Sequence, residues 1–177
     1  VQTGAVDSRA RSLELPIELI GDAVRFVACH EAGHSLGLRH NMIASAAYPT
    51  DSLRSATFTS RMGGTSASIM DYARFNYVAQ PGDEVKVMSP NIGPYDFMAI
   101  EWGYRWYPAG TNEDKVLTDL LAKYQGKEYR YSETQPQRSA VDPRALSEDL
   151  GNDPVKSARL GIENLKRVMP NLVDWTR

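Results

Sequence analysis

The sequence predicts a mainly α-helical chain in which helices are joined by long loops and strands are nearly absent. Apolar residues recur at three- and four-residue spacing in several stretches, proline and glycine stand where those stretches start and stop, and no long run alternates with strand period. The chain has 177 residues, 42% hydrophobic and 24% charged. That is the make-up of a globular domain, with length for one core and a helical annex.

The first helix is expected over residues 16–37. Pro16 suits its first position because proline lacks the donor that would be orphaned there. Leu19, Ala23, Phe26, His30 and His34 then share one face, and Glu18, Asp22, Arg25 and Cys29 another. Gly33 costs about 1 kcal/mol relative to Ala inside a helix, whereas Gly37 suits the left-handed turn that ends one. Cys29 reads as a packed thiol. Residues 41–67 are mostly loop, with Asp51 capping a short helix over 52–62. Ser68, Ile69, Met70, Asp71 and Tyr72 make a compact turn.

Gly93 and Pro94 open a second helix that Gly103 closes, and Trp102, Trp106 and the tyrosines around Tyr104 read as core. Asn112 caps a third, with Val116, Leu117, Leu120, Leu121 and Tyr124 as its stripe and Gly126 as its stop. Residues 128–131 alternate like a strand over a very short span. Asp142 with Pro143, and Asp153 with Pro154, are N-cap pairs for two more helices, ending at Gly151 and before Pro170. Asp149, Asn152 and Asp153 lack the ligand spacing of a calcium loop and read as caps and a turn.

Lys plus Arg number 20 against 22 Asp plus Glu, a net charge of −2, so no excess positive charge draws the chain to nucleic acid or an anionic membrane. Asp22, Arg25 and Glu31 interrupt the best apolar run, and nothing reaches the roughly 18 to 20 residues of a membrane span. The single Cys29 excludes an intrachain disulfide and leaves the redox compartment open. A start at Val1, with no initiator Met or signal pattern, points to a processed product or a piece of a larger parent chain.

The chemistry is concentrated in eleven residues. All three histidines, His30, His34 and His40, fall in HEAGHSLGLRH, a pattern expected by chance on the order of 10⁻⁵ times in such a chain. His30 and His34, one helical turn apart, lie about 5 to 6 Å from each other on one face and can reach one ion at about 2.0 to 2.1 Å. Gly37 lets the chain turn back so that His40 supplies a third ligand from another direction. Three imidazoles leave a fourth position open, as in a catalytic zinc site. Glu31, about 100° around the helix from His30, is placed to act as a base rather than a ligand.

This string resembles the zinc-binding consensus of the metzincin metalloproteases, and SIMDY resembles the Met-turn expected downstream. The resemblance implies that Met70 lies beneath the metal and that Tyr72 ligates it or stabilises the oxyanion. GPYDFMAIEWGY over residues 93–104 is similar to the helix that follows a Met-turn, with its Asp, Ile and aromatic-Gly ending. More narrowly, RARSLELP, SIMDYARFNYVAQP, IGPYDFMAIEWGY and the tail DPRALSEDLGNDPVKSARLGIENLKR resemble the large secreted bacterial Met-zincin family, over nearly the whole chain. The fold implied is the active-site helix and C-terminal subdomain of a zincin-like domain over residues 1–104, with its N-terminal sheet largely missing, and a helical extension packed on it over 105–177. Only 29 residues precede His30, too few for that sheet, whose edge strand aligns peptide substrates. Asn41 stands where other metzincins have an acid, Pro or a small hydroxyl residue, so no substrate preference carries over.

The function expected is hydrolysis of peptide bonds by a zinc-bound water that Glu31 activates, with Zn2+ as cofactor, a protein or peptide as substrate and, by resemblance, an extracytoplasmic location. The alternatives are a non-catalytic metal-binding or structural module, which leaves Glu31 without a use, and a zinc hydrolase of another bond.

Overall fold

The computed structural model describes residues 2–133 and 142–177. Six α-helices are joined by loops and one-turn 3-10 helices, and no strand occurs among the described residues. Helix α1 spans Ile17–Ser35, with Pro16 capping it from just outside rather than opening it from within. Leu36 ends the helix and Gly37 follows at φ +82, the left-handed region that glycine enters without strain.

Several expected boundaries move. The segment after Asp51 is a 3-10 turn, Ser52–Arg54, and helix α2 covers only Ala56–Met62. Ser55 is extended and its hydroxyl accepts from Phe58 N–H, so Ser55 is the cap, while Asp51 pairs with Lys156 at 2.6 Å. Helix α3, Pro94–Tyr104, runs past Gly103 and stops where Arg105 turns extended. Helix α4, Glu113–Leu121, is capped by Asn112 as expected but ends well before Gly126, and Lys127–Tyr129 is a 3-10 turn instead of a strand.

No helix follows Asp142. Its carboxylate accepts from Arg144 N–H two residues on, closing a turn that competes with helix initiation, and the chain stays irregular to Asn152. The second pair does what the sequence predicts. Asp153 accepts from Lys156 N–H and opens α5, Pro154–Val168, which leads into α6, Leu172–Trp175.

The main core lies among the loops rather than on α1. Ala44, Tyr48, Leu53, Ala67, Ala73, Val78 and Leu150 form it, with Phe58 and α5 Leu160 packed against it. A core made of loops must satisfy backbone groups without a sheet. Buried amides do so: Asn76 donates to Leu53 O and accepts from Val78 and Ala79 N–H, and Asn164 on α5 donates to Tyr77 O and Ala79 O.

Helix α1 buries only His30 and Gly33, leaving Ile17, Val24 and Val27 more than half exposed. The aromatic residues around α3 are also on the outside. Phe97, Trp102, Tyr104 and Trp106 are all exposed, Trp106 at 79%, so the core expected there is not formed. Helix α3 turns only Asp96 and Met98 fully inward; Tyr95 is half-buried against Tyr131, while Phe97, Trp102 and Tyr104 face outward.

Candidate metal centre

The three histidines converge as their spacing predicts. Ring centroids lie 4.8 Å apart for His30 and His34, 4.7 Å for His34 and His40, and 5.3 Å for His30 and His40. One nitrogen from each lies within 4.8 Å of the others, and the group that can hold a metal comprises these three side chains, not Glu31. His30 is buried, whereas His34 and His40 reach the surface.

Hydrogen bonding fixes which nitrogens are free. His30 Nδ1 lies 2.8 Å from Ile69 O and His34 Nδ1 lies 2.9 Å from Leu38 O. A carbonyl only accepts, so the proton of each ring sits on Nδ1 and the lone pair on Nε2. His34 Nε2 is 3.1 Å from His40 Nε2. Two nitrogens bound tetrahedrally to one zinc stand about 3.3 Å apart, so the donor set and its spacing fit that ion. Burial, followed by the neighbouring His34 and His30, lowers the pKa of His40, which favours its neutral, ligating form.

The turn at residues 68–72 is built into this site. Ile69 O accepts from His30, Met70 O accepts from Asn41 N–H at 3.0 Å, and the Met70 side chain is fully buried against Gly33. Asp96 on α3 holds the turn from behind. Its carboxylate accepts from Ser68 Oγ at 2.5 Å and from Ile69 and Gly93 N–H at 2.7 Å. Gly93 is obligatory there, since a Cβ would fall 2.1 Å from Ala67 O.

Glu31 and Tyr72 lie on the open side. Together with Phe26, His30, Arg74 and Glu148 they line a cleft of about 230 Å³. The Tyr72 ring packs 4.5 Å from His40 and 5.5 Å from His30 and is 40% exposed. Cys29, half-buried, takes no part in the metal group.

Other residues of the site were invisible to motif reading. Asn41, fully buried, donates to Arg130 O and accepts from Ser132 N–H, so it clamps a distant segment beside the third histidine. Glu148, in a left-handed conformation at φ +72, donates its N–H to Tyr72 O and ion-pairs with Arg74 across the cleft. Asp71 and Asp149 are bridged by Ser45, whose N–H and hydroxyl donate to one carboxylate each. Burial pushes Asp71 up to about 8 and Asp149 up to about 6. Asn41 and Asp71 stand beside or inside motif strings, but the partners Ser45, Arg130 and Ser132 are 26 to 91 residues away, so no local spacing reveals these contacts.

A model of the Met-zincin family matches residues 12–177. The chain belongs to the Met-zincin family. No curated protein and no solved structure matches it. The matched residues of this Met-zincin include the three-histidine group, the turn at Met70 and Glu148. Among the described residues, no helix is long and apolar enough to cross a membrane.

Proposed function

We propose that this Met-zincin is a zinc-dependent endopeptidase. The observation that carries the proposal is the division of labour around the cleft. Three imidazoles converge, those of His30 and His34 held with the proton on Nδ1, while Glu31 lines the cleft beside His30 and stays outside the three-histidine group. A purely structural metal site has no use for that carboxylate.

His30, His34 and His40 would hold a zinc ion, which when bound would supply Lewis acidity and lower the pKa of water toward neutral. Glu31 takes the proton of the attacking water and passes it to the leaving amine. Tyr72 offers a phenolic donor to the oxyanion that develops on the scissile carbonyl. Ile69 O and Leu38 O keep the two helix histidines in the ligating tautomer throughout. Resemblance to secreted metalloproteases supports a protein or peptide substrate, an extracytoplasmic location and a larger parent chain as partner.

The test is Glu31→Gln, with zinc content and peptide cleavage measured on the same preparation. Zinc content stays near that of the parent and cleavage falls by about 10²-fold or more, because the base is lost while the ligands remain. Cleavage at the parental rate removes Glu31 as the base. Zinc bound in both proteins with cleavage in neither favours the non-catalytic module.

A further inference from the structure

On a face that shares no lining residue with the cleft, the 3-10 turn Lys127–Tyr129 and the turn after Asp142 meet the segment that follows the third histidine. Lys127, Arg130 and Arg144 converge there on a concavity of about 310 Å³, floored by Ile43 and Ala46 and flanked by Asn152. Among the described residues only Arg144 has an acidic partner, Asp142, at 2.7 Å. Lys127 and Arg130 form no ion pair with a described acid, and Glu133, which follows them, pairs with Arg39 instead. The Asp142 carboxyl is held down at about 2, chiefly by hydrogen bonds from Arg144, with Arg130 acting on it through space. Three cations thus line the concavity, and its described lining includes no carboxylate, on a chain whose net charge is −2.

Like charges gathered in a concavity repel one another unless an anion lies between them. The donors are also of the right kind. Arg144 spends its Nε–Nη2 edge on Asp142, which leaves its Nη1 group to act with the unpaired Arg130 fork and the Lys127 ammonium on a group with several equivalent oxygens. Asn152 Oδ1 is occupied by Thr50 N–H at 3.1 Å, which leaves its NH2 group to donate. Arg130 is positioned from behind, because Asn41 Nδ2 donates to its carbonyl at 2.9 Å.

We propose that this concavity is a binding site for a compact oxyanion, a phosphate or sulfate group. A single carboxylate would be satisfied by one fork, whereas a tetrahedral oxyanion engages both arginines and the lysine together.

The experiment is calorimetric titration of the intact chain with inorganic phosphate, inorganic sulfate and phenyl phosphate, each against chloride of equal ionic strength. Saturable one-site binding of phosphate or sulfate is expected, with a rise in Tm that chloride does not reproduce. Binding of phenyl phosphate as well marks an esterified group as the natural ligand, and binding of the inorganic ions alone marks the free ion. Lys127→Ala and Arg130→Ala each weaken binding by about 10- to 100-fold, the worth of one charge-assisted hydrogen bond. Arg130→Lys keeps the charge, loses the fork and falls between, while Lys166→Ala on α5 changes nothing. The altered side chains are exposed, so the fold is retained and circular dichroism checks it. Absence of saturable binding by either ion, or binding that Arg130→Ala leaves intact, overturns the proposal.

Discussion

Gly33 and Met70 touch at a point where no larger residue fits: a Cβ on Gly33 would lie 2.3 Å from the Met70 sulfur. The helical turn between His30 and His34 therefore rests directly on the thioether. A glycine that costs the helix about 1 kcal/mol is what allows that contact. Because Met70 O also accepts from Asn41 N–H, the same residue braces the helix histidines and the loop that carries His40.

Gly33→Ala is accordingly expected to destabilise the protein although it improves helix propensity. The added methyl must displace a fully buried side chain, and overpacking of this kind costs about 1 to 3 kcal/mol. Chemical denaturation checks the sign. A stabilised variant with unchanged zinc affinity would show that Met70 moves aside freely.

Stability should also fall as pH rises through the neutral range. Asp71 and Asp149 are both raised above the ordinary 3.8, chiefly by burial, to about 8 and about 6. The unfolded chain releases those protons near pH 4, so the contribution is fully present below about pH 4 and is lost as pH climbs through the two folded-state values. Urea denaturation of chelator-treated protein at about pH 5 and about pH 8 should show the difference. Asp71→Asn, which cannot titrate, should flatten it; an unchanged slope would exclude this pair as its source.

The parts of the site legible in the sequence are those with short internal periods. Helix rise brings His30 and His34 together, Gly37 takes the left-handed turn, and His40 returns to them. The mainly helical class, the caps at Asn112 and Asp153 and the long loops follow from equally local signals. What stayed hidden depends on contacts made across the chain. The 142–151 segment has a helix-start pair, yet Glu148 binds Tyr72 O and Leu150 enters the core, so tertiary contacts override the local signal. The outward position of Trp102 and Trp106 has a related cause. Helical spacing shows that aromatic residues neighbour one another, but not which way their face points.

Asn41 is expected to behave as a support for the metal site. Replacing it with Ala leaves Arg130 O and Ser132 N–H without their partner at a part-buried point, a cost of about 1 kcal/mol for each bond. Because Asn41 adjoins His40, zinc affinity should drop by about 10- to 100-fold, the usual effect of losing a group that orients a ligand. His40→Ala should lose more. Competition titration with a zinc chelator ranks the two, and full zinc affinity in His40→Ala would remove that residue from the ligand set.

Tyr72→Phe separates the two ways in which this ring can serve the cleft. Its main chain is fixed on both sides, by the buried Asp71 before it and by Glu148 N–H on its carbonyl, so the ring is held against His40 and His30. Phenylalanine keeps those ring contacts and removes only the hydroxyl. If the phenol donates to the oxyanion, kcat falls by about 10²–10³ while KM and zinc content stay near the parental values, since the interaction exists only in the transition state. A rise in KM alone would instead make the hydroxyl a ground-state contact. An unchanged kcat would leave Tyr72 as a packing face for the histidines, with Glu31 as the cleft's only proton-handling side chain in the proposed reaction.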